Sequence, residues 1–297
     1  MRRVITLLVA LIAGCAGTVA HAQAETSADS PTPAQREFRD KLGALHWVAG
    51  PTTVAVAGNS TLTVPEGYVF LDAANTSKFE ELNENVPSGK EVMVAPKTLQ
   101  WTAYLLFDDS GYVKDDEKID APALLKVLQD GTERENEERR RRGWRAIHVT
   151  GWAIAPAYNT ETKRLEWATD LRADDGEGVN FFTKILGRRG VTTVVLATSP
   201  DRTTAAVADL DKVLTGYEFK GGETYSSWRP GDKVAEYGLA GLIVGGAAAA
   251  AAKTGLFKGL FKVILAGAAA LWKVILAGVA VVVGAFRSLF KRKSSPP

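Results

Sequence analysis

The sequence predicts an α+β domain with a largely antiparallel sheet and flanking helices, followed by a C-terminal hydrophobic membrane helix. Short β-rich segments occur in runs separated by turn residues, and the helical segments are grouped between those runs. After residue 238 the chain becomes strongly apolar, and residues 263–286 contain one charged side chain, Lys273. That stretch exceeds the roughly 20 apolar residues that a helix needs to cross the hydrocarbon core of a membrane.

Composition divides the chain into six segments. Residues 1–22 resemble a secretory signal, because an arginine pair precedes an apolar core and Ala20-His21-Ala22 forms a small-x-small cleavage site. An alternative is a lipobox at residues 12–15 that would leave Cys15 as a lipidated N-terminus. Ordinary cleavage is favoured because the tail already supplies an anchor. The remaining segments are a flexible or short helical lead (23–44), an exported α+β domain (45–230), an apolar helix with a basic connector (231–262), the transmembrane helix (263–286) and a basic cytoplasmic tail (287–297).

Within the domain, β-branched and aromatic residues bounded by turn residues predict strands. The expected strands are 53–56, 60–64, 68–71, 99–107, 146–154, 164–171, 180–186, 191–197 and 217–220. The expected helices are 35–45, 122–130, 132–142 and 203–214. Asp120 and Pro122 suit the start of the second helix, and Gly131 is expected to separate it from a further helix capped by Thr132.

The charge of the chain is distributed unevenly. The net charge of +2 divides into +8 for the tail from Lys253 onward, +2 for the first 22 residues and −8 for residues 23–252. An acidic domain disfavours general binding to nucleic-acid phosphates. A cationic tail suits an anionic membrane surface. The expected partners are therefore membrane lipid and an envelope protein, and not nucleic acid.

The tail contains a repeat of KVILAG at residues 262–267 and 273–278. The offset of 11 residues is close to three helical turns, so both copies face the same way. The helix either spans the membrane or lies in the interface with its cations toward head groups, and its length favours spanning. The basic cluster at its end then predicts a cytoplasmic C-terminus. Candidate residues at the membrane interface are Tyr225, Trp228, Tyr237, Lys258, Lys262, Arg287, Lys291, Arg292 and Lys293, and candidates for helix packing are Gly267, Lys273 and Gly278.

Sequence patterns identify no catalytic or metal site. Beyond the signal the chain has two histidines, His46 and His148, and no cysteine, so no metal or cofactor is expected. The sequence lacks a Gly-x-Ser-x-Gly elbow, a Walker sequence and a Gly-x-Gly-x-x-Gly turn. Acidic loops at residues 108–117 and 174–177 match no known calcium-loop spacing, and a solvated loop is the favoured interpretation of each. Whether the chain is an enzyme stays open, with a non-enzymatic role preferred.

An acidic run followed by four arginines occupies residues 133–142. Glutamate and arginine four residues apart stabilise a helix in this orientation, which indicates a surface helix that satisfies its own charges. The alternative is an anion site built from surplus arginines, because guanidinium groups fit phosphate and carboxylate. The candidates for that site are Arg139, Arg145, Arg188 and Arg189.

An ordered set of short motifs resembles a known bacterial family. The motifs are Trp47-x-x-Gly50-Pro51, GYVKDD at 111–116, Asn136-x-x-Arg139 before Gly143, Gly151-Trp152 before Pro156 and Tyr158, Leu165-x-Trp167, Val179-Asn180, LGRRGV at 186–191 and DKVAEYGLA at 232–240. They are similar to the membrane-anchored family known as domain of unknown function 2167, over about residues 45–252. The resemblance implies a signal peptide, an exported domain and a C-terminal anchor. It implies no activity, so it identifies no catalytic residue.

These observations predict an envelope protein with its domain in the periplasm or another extracytoplasmic space, anchored in the bacterial inner membrane. The expected function is binding or scaffolding without catalysis. One alternative is an envelope hydrolase with an unrecognised carboxylate site. Another is a helix-packing subunit of a membrane complex.

Overall fold

The structure is a computed structural model, and it describes residues 32–245. In this part of the chain the strands are β1 (Val48–Ala49), β2 (Thr52–Ala57), β3 (Ser60–Val64), β4 (Tyr68–Leu71), β5 (Val92–Pro96), β6 (Thr102–Asp108), β7 (His148–Asn159), β8 (Arg164–Ala173), β9 (Gly176–Leu186), β10 (Val191–Thr198) and β11 (Tyr217–Phe219). The α-helices are α1 (Pro33–Gly43), α2 (Ala73–Leu82), α3 (Ala121–Arg141), α4 (Thr203–Leu214) and α5 (Leu239–Val244).

Eight strands form one sheet in the order β1-β4-β5-β6-β10-β9-β8-β7, and every neighbouring pair is antiparallel. A second, three-stranded sheet has the order β11-β3-β2. The α+β fold with a large antiparallel sheet and flanking helices is therefore confirmed.

The large sheet is the middle layer of three. On one face, a hydrophobic core joins its central strands to the small sheet and to α4, with Leu62 and Leu210 fully buried. The opposite face is covered by α2, α3 and α5, and Trp167 and Phe182 stack there with ring centroids 4.9 Å apart. Side chains alternate between the two faces along each strand, so one strand supplies both cores.

Helix α3 is longer than the sequence predicted, because it runs from Ala121 to Arg141 without interruption. The expected break at Gly131 and the cap at Thr132 were wrong. The Thr132 hydroxyl donates to the backbone oxygen of Leu128 within the helix, at 2.9 Å. Burial of Leu124, Leu128 and Asn136 along one side outweighs the cost of about 1 kcal/mol for a glycine inside a helix.

The packed domain continues beyond the predicted boundary at residue 230. The start of the apolar run forms α5, whose Leu239, Leu242 and Ile243 are buried against the sheet. None of the helices within residues 32–245 is long and apolar enough to cross a membrane. Several predictions concern residues outside the described range. They are the signal, lipidation at Cys15, a transmembrane helix at 263–286, the tail cations and the packing candidates Gly267, Lys273 and Gly278.

Candidate functional site

Three loops meet at the end of the large sheet where β9 turns into β10. They are residues 109–120 after β6, residues 187–190 of the hairpin and residues 220–238 after β11. The Tyr112 N–H donates to the backbone oxygen of Lys233 at 2.8 Å, and the Ala235 N–H donates to that of Tyr112 at 2.9 Å. The Arg188 N–H donates to the oxygen of Glu223 at 2.9 Å. We call this region the hairpin-end site.

Asp115 is the centre of the polar part of the hairpin-end site. Its Oδ2 accepts hydrogen bonds from the Tyr158 hydroxyl at 2.8 Å and from Lys163 Nζ at 2.9 Å. Burial alone would raise the pKa of Asp115, but the bonds from Lys163 and Tyr158 bring it below its ordinary value. Burial, followed by the Asp115 carboxylate, raises the pKa of Tyr158. Asp115 is therefore an ionised acceptor and Tyr158 a neutral donor at physiological pH.

An aromatic stack lies beside this carboxylate. Tyr225 is buried, and its hydroxyl donates to the backbone oxygen of Val113 at 2.9 Å. Tyr112 stacks on Tyr225 with centroids 4.4 Å apart, and Trp228 lies 5.3 Å from Tyr112. Lys163 Nζ lies 5.0 Å from the centre of the Tyr225 ring, within cation–π range. The stack fixes the chain after β11 onto the loop after β6.

Two ion pairs join the β9–β10 hairpin to the same segment. Arg188 binds Asp232 with two bonds of 2.7 Å, from Nε to Oδ2 and from Nη2 to Oδ1. Arg189 Nε donates to Glu223 at 2.7 Å. The bonds from Arg188 and from the Arg229 N–H lower the pKa of Asp232 to about 2. Both arginine side chains proposed from the sequence as anion ligands here are already bound to carboxylates of the chain.

The other two arginine candidates lie at the opposite end of β9. Arg145 pairs with Glu84 at 3.1 Å and with Asp175. Arg139 donates to the backbone oxygens of Arg145 and Glu84, at 2.6 and 3.2 Å. Because Asp175 precedes β9 and Arg188 follows it, the two arginine pairs are separated by roughly 35 Å along the strand. The four candidates therefore do not converge on one anion.

Lys184 is a site residue that the sequence analysis missed. It lies on β9, and its Nζ donates to the Thr193 hydroxyl at 2.8 Å and lies 5.9 Å from the Trp167 ring centre. Burial lowers the pKa of Lys184 to about 8, against the smaller opposing effect of Asp108. The sequence pattern could have identified Lys184, because it lies between Phe182 and Leu186 on one face of the strand, and both of these residues are apolar.

A shallow cleft of about 390 Å³ adjoins this end of the sheet on the side of the small sheet. Its lining residues are Thr162, Arg164, Ile185, Tyr217, Glu218, Phe219 and Thr224. Arg164 already contacts Asp211 at 3.4 Å. The lining provides one carboxylate, Glu218, and no pair of carboxylates for acid–base catalysis.

Comparison with family models assigns the chain. The model described as Protein of unknown function (DUF2167) matches residues 48–283, which is most of the sequence. The chain belongs to this family. The match extends past residue 252, where the resemblance seen in the sequence ended, and includes most of the predicted transmembrane segment. No curated protein matches the chain.

Two solved structures share a weak likeness with the DUF2167 domain. One is the cyanobacterial PsbP (CyanoP) of Synechocystis sp. PCC 6803, with 10% identity, a TM-score of 0.33, and coverage of 59% of this chain and 91% of that one. The other is the Ran-binding protein Mog1p of Saccharomyces cerevisiae, with 11% identity, a TM-score of 0.35, and coverage of 61% and 100%. At these TM-scores neither likeness supports an argument about function.

Four of the eight motifs that carry the family resemblance contribute to the hairpin-end site. GYVKDD supplies Tyr112 and Asp115, the segment after Gly151-Trp152 supplies Tyr158, and DKVAEYGLA supplies Asp232. LGRRGV forms the hairpin itself. Motifs spread over more than 120 positions of the DUF2167 domain thus form one connected structure.

The three aromatic residues predicted for a membrane interface have different environments. Tyr225 belongs to the interior, as described above. Trp228 is 38% exposed. Tyr237 is half-buried, and its hydroxyl donates to Asp108 Oδ2 at 3.3 Å. Of the three, Trp228 offers the most surface to a membrane or a partner.

Proposed function

We propose that this DUF2167 protein is anchored in the bacterial inner membrane by residues 263–286 and that its extracytoplasmic domain binds an envelope protein. The single observation that carries the binding role is the exposed apolar pair Trp228 and Val234. They are 38% and 40% exposed, and both flank Tyr112, Trp228 through its ring and Val234 through a backbone bridge. Exposed aromatic residues on a fixed base are typical of the central contacts in protein interfaces.

The surroundings of this pair favour binding over catalysis. The charged groups beneath it hold the chain together, since Arg188 binds Asp232 and Lys163 binds Asp115. Such rigidity increases the affinity of a binding surface, because less conformational entropy is lost when the partner binds. The membrane anchor is supported by the length and composition of the tail alone.

The test is photo-crosslinking from the exposed neighbouring position 226, which leaves Trp228 in place, in the full-length protein in cells, followed by purification of the crosslinked protein. The purified partner should bind full-length wild type and lose at least about tenfold in affinity with Trp228→Ala. Ile154→Ala is the matched control, because Ile154 is also an exposed apolar residue, at 42%, but lies on β7. Equal binding by Trp228→Ala and wild type, or crosslinks to lipid alone, would contradict the proposal.

A further inference from the structure

A group of buried polar side chains lies beneath helix α2, and none of them belongs to the binding surface proposed above. Glu80 of α2 is completely buried, and Glu91, just before β5, is 8% exposed. Asn85 after α2 and Tyr104 of β6 are buried with them. Two carboxyl groups in a protein interior are unusual, because burying a charge is costly unless it is paired.

Glu80 has none of the partners that stabilise a buried carboxylate. Within residues 32–245, neither of its two carboxyl oxygens accepts or donates a hydrogen bond. The Nδ2 group of Asn85 is likewise buried and unpaired in that range. Glu91 differs, because its Oε2 accepts a hydrogen bond from the Ser88 N–H at 3.2 Å. Of the two carboxyl groups, Glu80 is the one for which ionisation is least favourable.

The groups that act on Glu80 are all acidic. Glu91 acts on it from the position just before β5, Glu81 lies next to it on α2, and Tyr104 acts on the carboxyl pair from β6. Burial, followed by repulsion from Glu91 and Glu81, raises the pKa of Glu80 to about 8. Burial also raises the pKa of Glu91. Like charges that share a site cannot both ionise easily, so one proton stays with the pair.

We propose that Glu80 and Glu91 form a proton-holding pair, and that loss of this proton releases α2 from the sheet. Helix α2 is short and is the element that places Glu80 in the interior. Its buried side contributes one large apolar residue, Phe79, which packs edge-on against Trp47 at 6.1 Å. Lifting α2 brings the ionised Glu80 into water, which relieves the penalty of burial.

The segment after α2 acts as a second attachment in this mechanism. Glu84 follows the helix. Its carboxylate accepts a hydrogen bond from Arg145, and its backbone oxygen accepts one from Arg139. These contacts tie the C-terminal end of α2 to the end of α3. Because Glu80 lies in the last turn of α2, its release requires that the contacts of Glu84 also give way.

The direction of the pH effect follows from the proton count. Below about pH 4.5 Glu80 is protonated whether α2 is packed or released, so pH has no effect through this group. Between about 4.5 and 8 the packed state keeps a proton that the released state gives up. Rising pH therefore favours release over that interval, by up to about tenfold per pH unit, and the effect levels off above pH 8.

Hydrogen–deuterium exchange of the full-length protein tests the proposal. Protection of α2 amides, corrected for the intrinsic pH dependence of exchange, should fall at least about tenfold between pH 6 and pH 9. Helix α4, on the other face of the sheet, should change little and reports on global unfolding. Glu80→Gln should abolish the pH dependence of α2, and Glu81→Gln, at an exposed neighbouring position, should retain it.

Three results would overturn the proposal. They are pH-independent protection of α2 in the wild type, equal loss of protection in α2 and α4, and an unchanged pH dependence in Glu80→Gln. The first two need no variant, so the proposal stays testable if Glu80→Gln does not fold.

Discussion

Arg188 and Asp232 are joined by two parallel hydrogen bonds of 2.7 Å, across 44 positions of sequence. The pair connects the β9–β10 hairpin to the segment that leads from β11 to α5. A guanidinium group and a carboxylate that meet in this two-bonded arrangement fix both direction and distance. The pair therefore determines where Trp228 and Val234 are presented, although neither charged residue belongs to the exposed apolar surface.

Breaking this pair is expected to loosen the segment from residue 220 to residue 238. Arg188→Ala should speed proteolytic cleavage within it by roughly tenfold, and Arg188→Lys should also speed it, because an ammonium group cannot form the two-bonded contact. The pKa of Asp232, near 2 in the fold, lies below its usual 3.8, so the protection should persist above pH 4 and disappear as pH falls toward 2.

The control for this experiment is Arg202→Ala, because Arg202 forms an exposed contact of 3.9 Å with its neighbour Asp201. Its cleavage pattern should match the wild type. Identical cleavage rates in Arg188→Ala and Arg202→Ala would show that the Asp232 contact does not hold the segment.

Gly190 is required at the hairpin because the chain passes unusually close to β6 there. A Cβ atom at this position would lie 2.0 Å from the backbone oxygen of Asp108, which cannot yield without breaking the pairing of β6 and β10. Gly190→Ala should lower the free energy of unfolding by about 3 kcal/mol, measured by urea titration. Gly176→Ala, in the open hairpin between β8 and β9, should change it by less than about 0.5 kcal/mol.

Lys184 should make the domain more stable at alkaline pH than at neutral pH. Its pKa in the fold is about 8, below the ordinary 10.5, so between these values the unfolded chain binds more protons than the folded one. Stability through this group therefore rises from pH 8 to pH 10.5. Lys184→Met should remove that rise. It should also increase the free energy of unfolding at pH 7 by on the order of 1 kcal/mol.

Urea titration at a series of pH values measures this effect. Lys126→Met is the matched control, because Lys126 is an exposed lysine on α3 and its replacement should leave stability nearly unchanged. A parallel shift of both variants at every pH would show that the half-buried position of Lys184 has no special effect.

Local sequence patterns predict the bounds of those strands and helices that are flanked by turn residues. The bounds of β3, β4 and α4 match their predicted ranges. Pro65 directly follows β3 and Gly67 directly precedes β4, and local patterns recognise such turn residues. Helix α2 and strand β5 were missed. Helix α2 carries few apolar residues, and its buried side contains Glu80 and Thr76, so it lacks the amphipathic pattern that identifies a helix.

The sequence motifs contain several residues of the candidate site, but the sequence predicts neither Lys163 and Lys184 nor the arrangement of the site. Tyr112, Asp115 and Tyr158 lie in the motifs that carry the family resemblance. Nothing in their spacing, however, indicates that the first two contact the chain near residues 225–235. Arg188 is a candidate ligand of an external anion in the alternative interpretation of the sequence, because guanidinium chemistry alone cannot distinguish such an anion from a distant carboxylate such as Asp232. Pairings across this much sequence depend on the sheet topology, which local patterns do not specify.

The extent of the domain yields the last prediction, which concerns where the chain can be cut. Leu239, Leu242 and Ile243 of α5 are buried in the same hydrophobic cluster as Trp167 and Phe182 of the large sheet. Burial of each such side chain contributes about 1.5–3 kcal/mol, so α5 contributes an amount comparable to the whole stability of a typical domain.

A chain of residues 32–245 should therefore fold and unfold cooperatively in urea. A chain that ends at Ser227 lacks α5, Asp232 and the backbone bonds to Tyr112, and it should show no cooperative transition. Tryptophan fluorescence measures both transitions, since Trp167 is buried in the same hydrophobic cluster as α5. Cooperative unfolding of the shorter chain with an unchanged midpoint would show that the apolar run from residue 239 is separable from the domain, and that its hydrophobic character serves another purpose.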